Sequence, residues 1–352
     1  MGRLLLSAVE RAGGAPVLAS ELRTLEKTGC RAVQERLRDE SRAEADRLVA
    51  HWAALPGPER PRLWFTYHCY YKAPDWIGPR VTEGLGIPYV IAEASRASKR
   101  AHGPWSLGHA GAEAAADRAD AVLIMTEADR EAVERLRPPH QTLVDCPPFL
   151  DLEAWPSAPR RPRTRAQPAR LLAVAMMRAG DKLASYEILA EALSEIAFLP
   201  WTLDIVGDGE ARSRVEALFG RVGDRVRFYG QVDDRERLGA LYASADLFLW
   251  PAVNEAYGMA LLEAQAHGCP VVAGSFGGVP SVVRHGETGI LTRPGDPADF
   301  ARAVSELLMD DERRRQLGTR ARRFVRGDRG LEAAAERIRV ALSALLADYP
   351  SP

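Results

Sequence analysis

From residue 170 onward the chain alternates continuous apolar runs with amphipathic helical stretches, and few folds can bury that pattern. The apolar runs are "RLLAVAMM" (170–177), "WTLDIVGDG" (201–209), "RVRFYGQV" (225–232), "DLFLWPA" (246–252) and "PVVAG" (270–274). Between them lie "SYEILAEALSEIAF", "EARSRVEALFG", "DRERLGALYASA" and "YGMALLEAQAHG", each with apolar residues at helical spacing. Strands that are apolar at every position are covered on both faces, so the pattern predicts a parallel sheet wrapped by helices. Such doubly wound sheets take ligands at the carboxyl ends of their strands.

The first half is less regular but of the same class. "PRLWFTYHCYY" (61–71), "IPYVIAEAS" (87–95), "DAVLIMTE" (120–127) and "TLVDCPPFLD" (142–151) read as strands, with a long helix across "RAVQERLRDESRAEADRLVAHWAAL". The expected organisation is a Rossmann-like domain at 1–155, a linker at 156–169, a second Rossmann-like domain at 170–330 and a terminal helix at 331–352. The linker is rich in proline and arginine and has no periodicity. Its arginines read first as a solvated run and second as peripheral contact with an anionic inner-membrane surface. At the start, "GRLLLSAVERAGG" fits a helix ended by Gly13 better than a strand and glycine loop, which makes "APVLAS" (15–20) the second strand. The expectation is then that a first strand and its loop are missing; an ordered parallel strand at 3–9 would refute it.

Composition excludes several classes. A net charge of −1 gives nothing for nucleic acid to bind globally. Four scattered cysteines without a CxxC predict a reduced, cytoplasmic protein with no structural zinc. No apolar run approaches the ~18 residues of a membrane span.

Chemistry concentrates in "PAVNEAYGMALLEAQAHGCPVVAGSFGGVP" (251–280), with Glu255 before the helix and Glu263 in its second turn. At a rise of about 1.5 Å per residue the two carboxylates stand roughly 10 Å apart along one edge. Glu263 is flanked by Leu261, Leu262, Ala264 and Ala266, so it should be largely buried and need a partner, for which ribose hydroxyls would serve. Arg178 and Lys182 follow the strand ending at 177, and two cations there suit a diphosphate. Cations at a helix N-terminus are unfavourable unless an anion meets them.

Taken together, the strand-end Arg178 and Lys182, the Glu255–Glu263 spacing and the "GGVP" turn resemble the retaining nucleotide-sugar glycosyltransferases of family 4, the group 1 glycosyltransferases. The resemblance covers residues 170–325. It implies the GT-B fold, two Rossmann-like domains facing each other across a cleft. It implies transfer of a sugar from a nucleotide diphosphate-sugar to a glycan or lipid-linked acceptor, in a bacterial surface-polysaccharide or glycolipid pathway. Retention of configuration is implied, with no metal and no cofactor; no DxD signature is present. By resemblance, Glu255 stands beside the donor sugar, the amides of Ala256, Tyr257 and Gly258 hold sugar and phosphate, Glu263 binds ribose, and Arg178 and Lys182 neutralise the diphosphate. Tyr229, Gly230 and Gln231 face the base, and Gly277, Gly278 and Val279 line the donor pocket. Ser281 departs from the acidic residue many relatives carry.

On the acceptor side the candidates are His68, Glu93, Ser95 and Lys99, with Glu93 where relatives often place a strand-end histidine. His102 and His109 flank a loop that would shape the same site. Two other readings stay open: a non-catalytic nucleotide-sugar-binding protein and a GT-B nucleotide-sugar epimerase.

Overall fold

A computed structural model of the chain describes residues 1–156 and 167–349. The core of the expected linker, 157–166, lies outside the described residues. The chain forms two compact units. One holds Met1–Pro147 together with the chain from Ala334; the other holds Pro148–Ala333.

The first unit opens with helices α1 (Gly2–Arg11) and α2 (Arg31–Ala53). Strands and helices then alternate: β1 (Trp64–Cys69), α3 (Gly78–Leu85), β2 (Tyr89–Ala94), α4 (Ser106–Arg118), β3 (Ala121–Ile124), α5 (Glu127–Arg135) and β4 (Thr142–Asp145). The four strands are parallel in the order β1-β2-β3-β4. Residues 2–11 are helical, as their 3.6-residue spacing requires. Residues 15–20, expected as a strand, are not one. Pro16 has no N–H for a ladder, Val17 and Leu18 are 82% and 71% exposed, and apolar composition without a partner edge does not make a strand.

Asp75 ties this unit together. Its carboxylate caps the start of α3 by accepting the Ile77 and Gly78 amides, each at 2.8 Å. It also accepts the Thr66 hydroxyl of β1 at 2.5 Å and the Tyr89 hydroxyl of β2 at 2.7 Å. Three elements are thus fixed to one side chain, and Gly78 packs so closely that a Cβ there would stand 2.4 Å from Asp75 Oδ2.

The second unit contains β5 (Ala169–Val174), α6 (Asp181–Glu195), β6 (Trp201–Val206), α7 (Arg212–Leu218), β7 (Val226–Phe228), α8 (Arg235–Ser244), β8 (Leu247–Trp250), α9 (Met259–Ala266), β9 (Val271–Gly274), β10 (Gly289–Thr292), α10 (Pro297–Met309) and α11 (Asp311–Asp328). Its parallel strands run in the order β10-β9-β8-β5-β6-β7. β8 and β9 are buried at every residue, the signature of a sheet covered on both faces. The order reverses between β5 and β8, so the loops after those two strands diverge and leave a crevice at their carboxyl ends. β10 is not expected from the sequence: "GILT" is only four residues, begins with a Gly and runs into a charged turn. The last helix, α12 (Leu331–Asp348), leads to Tyr349, whose hydroxyl donates to Asp120 of the first unit's sheet at 2.9 Å.

Replacing Asp75 with Ala leaves two helix amides and two hydroxyls without their acceptor. The expected cost is about 2–3 kcal/mol, read as a lower denaturant midpoint in a fluorescence unfolding curve.

Candidate functional site

The crevice at the carboxyl ends of β5, β6 and β8 contains a cavity of about 420 Å³. Val174, Ala175 and Met176 close one side, Gly207 and Asp208 another, and Trp250, Glu255 and Gly258 a third. Its centre is an ion pair. Lys182 Nζ, in the first turn of α6, lies 2.5 Å from Glu255 Oε2, and that oxygen also accepts the Trp250 indole N–H at 3.0 Å. The ammonium sits 5.5 Å from the centre of the Trp250 ring. The anion that meets the cation at this helix start is thus Glu255 itself. The strand-end tryptophan, which the sequence reading passed over, fixes the carboxylate.

The loop carrying Glu255 is held in a costly shape. Ala252, Asn254 and Gly258 have φ of 59°, 49° and 72°, the left-handed region that side chains other than Asn and Asp seldom enter. Such strain persists only where surroundings over-determine it. Here α6 supplies them: Ser185 Oγ accepts the Val253 amide at 2.9 Å, and Asp181 Oδ2 accepts Asn254 Nδ2 at 2.9 Å. The "GSFGG" turn closes on the same loop. Gly278 N donates to the Glu255 carbonyl at 3.4 Å, and a Cβ on Gly277, whose φ is 47°, would stand 2.4 Å from that carbonyl oxygen. The β6 turn is equally tight, since a Cβ on Gly207 would stand 1.9 Å from the Ala175 carbonyl.

Of the expected donor residues, Lys182, Glu255, Gly258 and Gln231 line the cavity. Arg178 is exposed and is not among the residues lining the cavity; it is close enough to Glu210 to help hold that carboxyl below its ordinary range, behind the Glu210 and Ala179 amides. Ala256 is exposed, while Tyr257, Gly278 and Val279 are buried and support the loop and turn. Tyr229 has the Arg227 and Arg237 guanidinium groups over its ring, and the Gly230 carbonyl accepts the Gly207 amide at 2.8 Å.

Glu263 has a partner inside the protein. The Tyr242 hydroxyl donates to its Oε2 at 2.8 Å. Burial raises the Glu263 carboxyl above its ordinary range, with Tyr242 and the more distant Arg235 opposing. Tyr242 stacks on His267 and meets Trp155 edge-on. Sequence spacing showed that Glu263 needed a partner but not that α8 supplied one.

The first unit has its own cluster at the ends of β1 and β2. His68 Nδ1 lies 3.1 Å from Glu93 Oε2. Both residues are left-handed, with φ of 65° and 63°. Glu93 is buried and His68 half-exposed, with Tyr70 4.7 Å from the imidazole ring. Asp129 is near, its carboxyl raised by burial against hydrogen bonds from Thr126 and Ser95. Of the acceptor-side candidates, His68, Glu93 and Ser95 therefore come together. Lys99 is exposed on the following turn.

Residues 168–310 match the family model described as "Glycosyl transferases group 1". A D-inositol 3-phosphate glycosyltransferase of Corynebacterium diphtheriae is 44% identical over 102 residues, 28% of this chain and 23% of that protein. An N-acetyl-alpha-D-glucosaminyl L-malate synthase of Bacillus anthracis is 38% identical over 123 residues, 34% of this chain and 32% of that protein. The chain thus aligns with a third or less of the length of these curated relatives. Among solved structures, sucrose-phosphate synthase from Thermosynechococcus elongatus superposes with a TM-score of 0.68 at 24% identity, covering 90% of this chain and 80% of that one. Anabaena HepE in complex with UDP and glucose does so at 0.65 and 19%, covering 86% and 81%. These likenesses show the fold, which is GT-B.

Two outcomes follow from the geometry. His68 is held protonated to a higher pH than an ordinary histidine, chiefly by its hydrogen bond to Glu93, with burial opposing. Its contribution to stability is then fully present below about pH 6.5 and is lost as pH rises through the raised value. NMR titration of the imidazole should show a raised midpoint that falls in Glu93→Gln. Glu263→Ala should lower stability by about 1–3 kcal/mol, measured by denaturant unfolding, because it leaves the buried Tyr242 hydroxyl without its acceptor.

Proposed function

We propose that this chain, which carries a group 1 glycosyltransferase module in its second unit, transfers a sugar from a nucleotide diphosphate-sugar to a hydroxyl acceptor. The observation that carries the reading is the Lys182–Glu255–Trp250 cluster, in a cavity at the point where the strand order reverses. Breaking a sugar–phosphate bond builds positive charge on the sugar and negative charge on the departing diphosphate. A cation held at a helix start lowers that barrier most where it is already in place before the bond breaks. Lys182 is such a cation, and Glu255 and Trp250 fix its position. Glu255 in turn offers a carboxylate beside the developing charge on the sugar. Arg178, exposed after β5, would add a second positive charge for the phosphates, and Glu263 and Gln231 would serve the nucleoside.

The same reading includes retention of the anomeric configuration, with no metal taking part. In the first unit, His68, Glu93 and Ser95 would receive the acceptor, with Lys99 beside them. Support for an acceptor of glycan or polyol type comes from the named activities of the relatives. UDP is the first nucleotide to test, because a protein of the same fold was solved with UDP and glucose. A cytoplasmic site of action in a bacterial surface-glycan pathway fits the module, and the arginines of 160–165 would suit an anionic membrane surface. Among the described residues no helix is long and apolar enough to cross a membrane.

The deciding assay is nucleoside diphosphate release from UDP-, GDP- and ADP-sugars, with Glu255→Gln and Lys182→Ala as variants. Release from one donor should fall at least about 100-fold in kcat for Lys182→Ala, with a smaller change in KM. Unchanged turnover in Lys182→Ala would remove it from the diphosphate site. Donor binding without release, even with crude glycan and lipid acceptors, would favour a binding protein. Interconversion of the free nucleotide-sugar would favour an epimerase. Proton NMR of the product, with and without EDTA, reads retention and metal independence.

A further inference from the structure

Near the His68–Glu93 pair, two cations of the first unit sit on aromatic rings. Lys72 Nζ lies 5.8 Å from the centre of the Tyr71 ring and 5.4 Å from that of Trp105. The Arg100 guanidinium carbon lies 5.2 Å from the same Tyr71 ring. The two charges are therefore at most about 11 Å apart, so their mutual repulsion is at least partly screened at physiological salt, where the Debye length is about 8 Å. Among the described residues neither is paired with a carboxylate. The acids nearby are engaged elsewhere: Asp75, three residues after Lys72, accepts from Thr66, Ile77, Gly78 and Tyr89, and Glu26, whose amide donates to the Lys72 carbonyl at 2.8 Å, turns its carboxylate onto the Thr28 and Gly29 amides. The Arg100 Nε is buried and makes no hydrogen bond among the described residues. A buried guanidinium N–H without an acceptor is costly, and so is a pair of like charges without a counter-charge.

Three surrounding features add to the positive potential or shape the place. Lys99 adjoins Arg100. Trp105 stands at the N-terminal end of α4, whose first turn holds no acid, so the positive end of that helix dipole is unopposed by its own side chains. An aromatic path joins the cations to the strand ends: His68 to Tyr70 at 4.7 Å, Tyr70 to Tyr71 at 5.6 Å and Tyr71 to Trp105 at 5.3 Å between ring centres. A ligand hydroxyl at His68–Glu93 and an anionic group at Lys72 and Arg100 would thus lie along one wall.

We propose that Lys72 and Arg100, mounted on Tyr71 and Trp105, form a subsite for a phosphate or carboxylate carried by the acceptor. The inference rests on the transferase reading above for the word acceptor. The acceptor is then an anionic polyol or sugar, and the cations bind and orient it without taking part in the chemistry. Two cations on rigid rings, without a carboxylate partner among the described residues, match an anion with several oxygens.

The test uses the full chain labelled with 5-fluorotryptophan and followed by fluorine NMR, with Trp105 and Trp250 assigned by single Trp→Phe substitutions. Trp105 reports the proposed subsite and Trp250 the donor cavity. Inorganic phosphate and malonate, titrated separately at constant ionic strength with UDP present, distinguish the two anions. A saturable shift of Trp105 by either one is expected, with its midpoint raised at least tenfold in Lys72→Gln/Arg100→Gln and the Trp250 response to UDP unchanged. A Trp105 resonance that does not move, or one that moves with the same midpoint in the double variant, overturns the proposal. If the double variant loses its native spectrum, Lys72→Arg should keep the midpoint within threefold and Lys72→Glu should abolish the shift; equal behaviour of those two also overturns it. A Trp250 resonance silent to UDP, GDP and ADP would instead overturn the donor reading, whatever Trp105 does.

Discussion

The second unit is organised around one ion pair whose partners are 73 residues apart in sequence. Lys182 enters from α6, Glu255 from the loop after β8, and Trp250 from the end of β8 itself. A lysine in the first turn of a helix opposes the helix dipole, and a carboxylate in a partly buried crevice loses water. Each cost is offset by the other group and by Trp250, which donates to the carboxylate and lies beneath the ammonium. α6 also holds the loop through Ser185 and Asp181, and the glycine turn at 277–278 lies directly on the Glu255 backbone. Cavity shape and charge arrangement are consequences of the same contact.

Much of this unit was legible because its sheet is covered on both faces. Every residue of β8 and β9 must be apolar, and such runs stand out against helices of period 3.6. The residue types at the strand ends were legible too, since Glu255, Lys182 and Gln231 are conspicuous polar groups beside buried strands. Their partners were not. Trp250 reads as one more core aromatic, and Tyr242 as a helix residue with apolar neighbours. Only the fold brings Tyr242 Oη to Glu263, because α8 and α9 are separated in sequence by a whole strand. Short or unpaired segments failed in both directions: "GILT" is a strand because β9 offers it an edge, and "APVLAS" is not, because nothing does.

The first unit departs more from its sequence expectations, and the reason is again pairing. A histidine at the end of β1 and a glutamate at the end of β2 look like isolated strand-end residues. In the fold they face each other across adjacent parallel strands, each turning into the left-handed region where its strand stops. Asp75 keeps those strands and α3 in register, so the geometry of His68 and Glu93 depends on a side chain that touches neither.

Ala252 has a history to tell. Its methyl is fully buried on a backbone that glycine would occupy without strain, and left-handed alanine costs about 1–2 kcal/mol. Glycine lies one nucleotide change from alanine in the genetic code, so relief is within easy mutational reach. Such a replacement would steady the folded chain at rest and widen the range of shapes open to the loop that carries Glu255. Selection for thermal endurance and selection for a fixed carboxylate would therefore pull this codon in opposite directions.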